Sequence, residues 1–210
     1  MRLYLVRHAQ TAWNVEGRCQ GHSDICLDEC GESQARLLAS RFVPAVPVGA
    51  VYTSDLLRCR STAEPLAESL GVPLIVDERL RERCFGDWEG MNYPEVIGLL
   101  SQSGDEFTQV RPPNGESMQD VWDRLGSLAD DLRALERSVV VVAHGGSGTL
   151  LLSRLINGTL ETARSLTFQN TAVTELEKRH NGVLSMRRYN DVSHLLGAES
   201  LGGSVDGTHR

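Results

Sequence analysis

The sequence predicts an α/β fold with a mostly parallel sheet and an antiparallel edge, and three observations carry that prediction. Four short apolar runs, "RLYLV", "AVYTS", "PLIVD" and "VVVVAH", begin near residues 2, 50, 73 and 139. They lack the polar alternation of a half-solvated strand, so both faces of each are expected to be covered. Stretches of helical period lie between them, which is the strand–helix alternation of a parallel sheet. Finally, "TAVTELEK" and "VLSMRRYN" are separated by "RHNG". They read as a hairpin at one edge, with Asn-Gly at the turn.

Taken in order, the first run is followed by a helix over 31–42, "GESQARLLASRF". The second is followed by a helix over 55–70, which Pro65 should kink or shorten. The plainest helix spans 117–136, where Val121, Trp122, Leu125, Leu128, Leu132 and Leu135 form a stripe. Ser117 and Asp120 at its start resemble a capping box. A further helix, 146–156, follows the fourth run directly. The stretch 101–117 reads as a loop long enough to be a lid. The small, polar tail 197–210 is expected to be disordered.

The bulk numbers narrow the function. A chain of 210 residues fits one domain with a substantial core. Its net charge of −7 argues against a nucleic-acid surface, although a small basic pocket could still hold one phosphate. No apolar run approaches the ~20 residues of a membrane span. The start, "MRLYLVRH", lacks the apolar core of a signal peptide, so a cytoplasmic location is expected. The five cysteines, 19, 26, 30, 59 and 84, are an odd number, which suits free thiols. Cys19, His22, Cys26 and Cys30 could in principle ligate zinc. They lack the close cysteine pairs of structural sites, so no metal is expected.

Ligands of open α/β sheets bind beyond the carboxyl ends of the strands, so the residues after each run are informative. The first run ends in Arg7 and His8. Arg58 follows the second, Glu82 the third, and His144 the fourth, ahead of "GGSG" and a helix start. Singly, each has a plain structural reading. Arg58 could pair with Glu64 or Asp55 on a helix surface, and Glu82 sits in a run of charges. Together they suit phosphoryl chemistry. Two guanidiniums can hold a phosphoryl group by charge-assisted hydrogen bonds, and the N–H groups of the glycine-rich helix start can support the same anion. A neutral imidazole can attack phosphorus while a carboxylic acid protonates the departing oxygen.

These residues sit in motifs that resemble the histidine phosphatase superfamily, in its phosphoglycerate mutase-like branch. "LVRHAQTAWN" is similar to that family's Arg-His-Gly-x-Thr-x-x-Asn signature. The likeness continues through "GRCQGHSDICLDECGESQA", "VYTSDLLRCRSTAE", "LRERCFGDWEG", "PPNGES" and "VVAHGG" to "NDVSHL". It implies a three-layer α/β/α sandwich, with a single domain over 1–196 and a lid insertion at about 91–116. It implies that His8 is the nucleophile that becomes phosphohistidine and Glu82 the general acid. Arg7, Arg58 and His144 complete the phosphate pocket, and Asn14, Gln20, Gly21 and Gly145 line it. No cofactor is implied.

The short connection from "GDWEGMNYPEV" to "PPNGES" matches the phosphatase pattern of that family rather than the mutase pattern. Hydrolysis of a small phosphorylated metabolite is therefore expected, by a broad-specificity or α-ribazole-phosphatase-like enzyme acting as a monomer or homodimer. A phosphoglycerate mutase and a non-catalytic phosphate-binding scaffold are the alternatives. Met91, Tyr93 and Phe107 are candidate pocket walls. Ala9 departs from the signature glycine, and the sequence leaves open whether that glycine supplies a positive φ or merely small size. "NGES" is a milder departure, because asparagine tolerates the left-handed region.

Overall fold

A computed structural model describes residues 1–102 and 106–196; the expected disordered tail lies outside the described residues. The chain runs β1 (Arg2–Arg7), α1 (Ala12–Val15), α2 (Glu29–Arg41), β2 (Val48–Thr53), α3 (Leu57–Leu70), β3 (Leu74–Val76) and α4 (Tyr93–Gln102). It continues through α5 (Met118–Ala134), β4 (Ser138–Ala143), α6 (Gly145–Leu155), α7 (Leu160–Arg164), β5 (Val173–Lys178) and β6 (Leu184–Asp191). The six strands form one sheet in the order β3-β2-β4-β1-β5-β6. β3, β2, β4 and β1 are parallel, β5 runs antiparallel to β1, and β6 pairs antiparallel with β5 at the edge.

The unbroken apolarity of β1 and β4 has a direct cause, since successive side chains of a strand enter opposite faces. Leu3, Leu5, Val139 and Val141 meet Val121, Leu125, Leu128 and Leu132 of α5 and Leu151 and Leu155 of α6. Tyr4, Val6, Val140 and Val142 meet Leu38 of α2 and Cys59, Ala63 and Leu66 of α3 on the other face. The result is the three-layer arrangement, with β1 and β4 side by side at its centre.

Local signals explain the element ends. Asp28 accepts the Gly31 N–H and caps α2. The Ser117–Asp120 capping box opens α5 as its sequence indicates. α3 starts two residues later than expected and runs unbroken through Pro65 to Gly71, whose φ of 66° ends it. Cys59 and Ala63 before the proline and Leu66 and Ala67 after it are buried in the core shared with α2 and the sheet, so tertiary burial overrides the local breaker. The β5–β6 connection also differs in detail. Gly182 N–H bonds Arg179 O, so His180 and Asn181 are the central turn residues. Gly182 follows at φ 80°, as the left-handed residue of a bulged hairpin loop.

α4 lies in the stretch expected as a lid insertion, 91–116, where the sequence assigns no helix, and overlaps the expected loop 101–117 only at its last two residues. It buries only Val96 and Leu100, too short a stripe to stand out from a run that includes Pro94. These residues join Cys19 and Val110 in a small separate core, against which Phe85, Trp88, Met91 and Phe107 pack.

Candidate active site

The parallel register of β1 and β4 sets Arg7 opposite Ala143, so the next residues, His8 and His144, emerge together. The His8 N–H donates to Ala143 O at 2.9 Å, and the two imidazole centroids are 5.3 Å apart. Arg58 arrives from the first turn of α3, after β2. Glu82 arrives from the segment after β3, beyond a short 3-10 turn at Glu78–Leu80. The five residues at four strand ends thus meet at one edge of the sheet.

The hydrogen bonds define the state of both rings. His8 Nδ1 lies 2.7 Å from Ala9 O. A carbonyl can only accept, so Nδ1 carries the proton and the Nε2 lone pair is free. Arg58 Nε donates to His144 Nδ1 at 3.1 Å. A guanidinium can only donate, so His144 carries its proton on Nε2, while the Cys59 sulfur, 3.3 Å from Nε2 and 3.7 Å from Nδ1, lies against the face of the ring. Burial first, then Arg58 and Arg7, hold the His8 pKa well below the usual histidine value. Burial and Arg58 do the same for His144. Both rings are therefore neutral at pH 7, in opposite tautomers.

Neither guanidinium is a surface group. Arg58 is fully buried and spends two more N–H groups on Ser23 O (2.8 Å) and Gly21 O (2.6 Å). The surface pairs open to it in the sequence are taken elsewhere, Asp55 by Arg81 and Glu64 by Arg60. Arg7 donates to Phe168 O at 2.7 Å, while its Nε is buried without a partner. The Arg7 Nε lies 3.6 Å from where a side chain on Gly145 would begin, and Glu82 Oε2 lies 4.0 Å from that point. Glycine there keeps the mouth of α6 open to both.

The helix start holds a different anion from the one expected. Glu82 Oε2 accepts the Gly146 N–H (2.8 Å) and Oε1 the Ser147 N–H (2.7 Å) and its neighbour Arg83 N–H (2.9 Å). The carboxylate itself occupies the N-terminus of α6, the favoured place for negative charge. This leaves Gly145 N–H as the first-turn donor that Glu82 does not take.

The remaining sequence-derived residues are placed as follows. Asn14 Oδ1 accepts from Thr11, closing the capping box of α1. It also meets Asn170 Nδ2 at 3.4 Å, and that amide donates to His8 O at 2.9 Å. Gln20 is buried, and its Oε1 has no partner. Gly21, at φ 52°, contributes its carbonyl to Arg58. Ala9 is fully buried against Leu27 and Ala35, donates its N–H to Thr62 Oγ1, and is not among the residues of positive φ. Small size, then, is what this signature position requires here. Asn114 does adopt a φ of 59° in "NGES".

Tyr93, 44% exposed overall, is the candidate pocket wall whose hydroxyl reaches these charges, and the local crowding around that hydroxyl, then Cys19 and Glu82, raise its pKa. Arg7 and Arg58 oppose that shift. Met91 and Phe107 instead pack against the small core. Among the described residues no group of three or more His, Cys, Asp or Glu is placed to hold a metal ion. Sequence reasoning missed Asn170, Glu89 and Glu116. Glu116 braces the Glu82 segment through Cys84 N–H and Arg124.

Paired imidazoles and guanidiniums at the carboxyl ends of a parallel sheet define an α/β protein suited to holding a compact oxyanion. The chain belongs to the histidine phosphatase superfamily (branch 1), whose model matches residues 3–192. It is 32% identical to a probable phosphatase of Schizosaccharomyces pombe, covering 95% of this chain and 98% of that one. It is also 32% identical to phosphoglycerate mutase-like protein 4 of Arabidopsis thaliana, over 92% and 86% of the two chains. A mycobacterial glucosyl-3-phosphoglycerate phosphatase solved with VO3 superposes with a TM-score of 0.77. That structure is 33% identical and covers 90% of this chain and 98% of its own. Among the described residues no helix is long and apolar enough to cross a membrane.

Proposed function

We propose that this protein is a phosphomonoester hydrolase that works through a phosphohistidine on His8 and takes a small phosphorylated metabolite. The observation that carries the reading is the His8–Ala9 hydrogen bond. It holds the proton on Nδ1, so the ring, kept neutral by burial and the two guanidiniums, has its free lone pair on Nε2.

In the first step His8 Nε2 attacks phosphorus and forms the N–P bond as the ester P–O bond breaks. Glu82 gives its proton to the departing oxygen. In the second step Glu82 takes a proton from water, whose oxygen attacks phosphorus and breaks the N–P bond. Inorganic phosphate leaves and Glu82 is again protonated. Arg7, Arg58, the His144 Nε2–H and the Gly145 N–H hold the phosphoryl oxygens and meet the charge that develops on them. The Asn14 amide and the Gln20 side chain, whose Oε1 has no partner, complete the lining. In this reading the cations of the chain do the work a metal would do, with no cofactor.

Burial of His8, Arg58 and His144 supports a small substrate, since a phosphoryl group on a slender stem reaches them and a folded phosphoprotein surface does not. Residues 91–116 are read as the lid. The test is a phosphomonoester panel with free phosphate as the readout, run with and without EDTA. Release should survive EDTA and be lost in His8→Ala, and trapping should give an acid-labile, alkali-stable phosphate on His8. Turnover by His8→Ala, or its loss in EDTA, would overturn the mechanism. The likeness to a mutase-like relative makes phosphoglycerate the informative panel member, because exchange outpacing release would make this chain a mutase.

A further inference from the structure

Glu89 lies outside the site, yet its carboxylate gathers the loop that holds Arg58. Oε1 accepts the His22 N–H at 2.8 Å and the Phe85 N–H at 3.2 Å. Oε2 accepts the Ser23 N–H at 2.8 Å and the Ser23 hydroxyl at 2.5 Å. The approach is so close that a side chain on Gly21 would begin 2.1 Å from Oε1. The loop so tied at His22 and Ser23 presents Gly21 O and Ser23 O to Arg58, and these carbonyls receive its two terminal nitrogens. No ion pair joins Glu89 to Arg58 among the described residues, so the link runs through the backbone.

We propose that Glu89 is the positioning residue for Arg58, fixing the guanidinium through the Gly21 and Ser23 carbonyls so that its remaining N–H groups face the phosphoryl site. The same hold keeps Arg58 Nε on His144 Nδ1 and thereby keeps the His144 proton on Nε2. This rests on the phosphoryl-binding reading above and adds to it a residue with no contact to substrate. A carboxylate suits the place because four N–H and O–H donors and the weaker Cys84 thiol converge on it and it is acceptor-only. Glutamine would turn an N–H₂ group toward one pair of those donors.

The test is a double-mutant cycle on the full chain, read first by calorimetric binding of inorganic phosphate, which needs no turnover, and then by p-nitrophenyl phosphate hydrolysis. Glu89→Gln is expected to weaken phosphate binding about tenfold. In an Arg58→Ala background the same change should alter it less than about twofold, since residues acting as one unit are non-additive. Ser23→Ala removes one donor to Glu89 with little risk to folding. It is expected to weaken binding about threefold, again only while Arg58 is present. Equal losses in both backgrounds, or wild-type phosphate affinity in Glu89→Gln, would overturn the proposal. Failure of the wild-type protein to hydrolyse any ester, with this binding pattern intact, would count against the phosphatase reading and leave the role of Glu89 standing.

Discussion

His8 and His144 show how little of a residue's chemistry lies in its name. Two histidines 5.3 Å apart between the same arginines differ in which nitrogen carries the proton. One faces a carbonyl and the other a guanidinium. The expected outcome in ¹⁵N–¹H NMR is two neutral rings at about pH 6.5, where a free imidazole is half protonated, His8 as the Nδ1–H tautomer and His144 as the Nε2–H tautomer. Titration of either ring near 6.5, or one shared tautomer, would remove the assignment. Ala9 makes a second residue-scale prediction. With ordinary backbone and full burial, Ala9→Gly should be tolerated. Ala9→Val should cost about 1–3 kcal/mol by overpacking, read as a drop in the denaturant midpoint. The five strand-end residues were legible in the sequence because a charge that ends a buried strand needs a partner. Glu89 and Asn170 were not, since they act on backbone atoms 66 and 162 positions away.

At the scale of elements, the sequence revealed what has a long buried stripe or a cap, and it obscured what is held by its neighbours. α5 was legible from its stripe and its capping box, whereas α4, with two buried residues, was not. The start of α6 was legible as an anion site, but its occupant was not, because Glu82 reaches it from 64 residues away. That occupancy predicts the effect of Gly146→Ala. Alanine is the better helix former by up to ~1 kcal/mol, which offsets the helix-end stabilisation lost with a displaced Glu82 (about 0.3–1 kcal/mol), so the thermal midpoint should change little. The new methyl would sit 2.7 Å from Glu82 Oε1 and displace the carboxylate. Alkyl phosphates, whose leaving oxygen needs a proton, should lose kcat about tenfold or more, and p-nitrophenyl phosphate far less. An equal loss for both ester types would mean that Glu82 is not the proton donor.

For the whole molecule, three buried histidines tie the fold to neutral pH. Burial lowers His8, His144 and His194, the last to about 4. His194 Nε2 lies 3.0 Å from Thr171 Oγ1, with Asp191 opposing its shift and Arg41 adding to it. A histidine whose folded pKa lies below its unfolded pKa binds fewer protons in the native state. Stability therefore rises with pH through that window and is lost as pH falls below about 6.5, the unfolded value. For His194 alone the window runs from about 6.5 down to about 4 and amounts to roughly 3 kcal/mol. Asp55, Asp77, Asp120 and Asp191, held below the usual carboxylate value, add their loss only at lower pH. Thermal melts should accordingly show a nearly constant midpoint from pH 7 to 8 and a steady fall from pH 6.5 toward 4.5. His194→Gln, which keeps a partner for Thr171 and cannot gain the proton, should make that fall shallower while leaving phosphate release unchanged. A midpoint that holds down to pH 5, or a slope that His194→Gln does not alter, would show that the buried imidazoles do not govern the acid side of this fold.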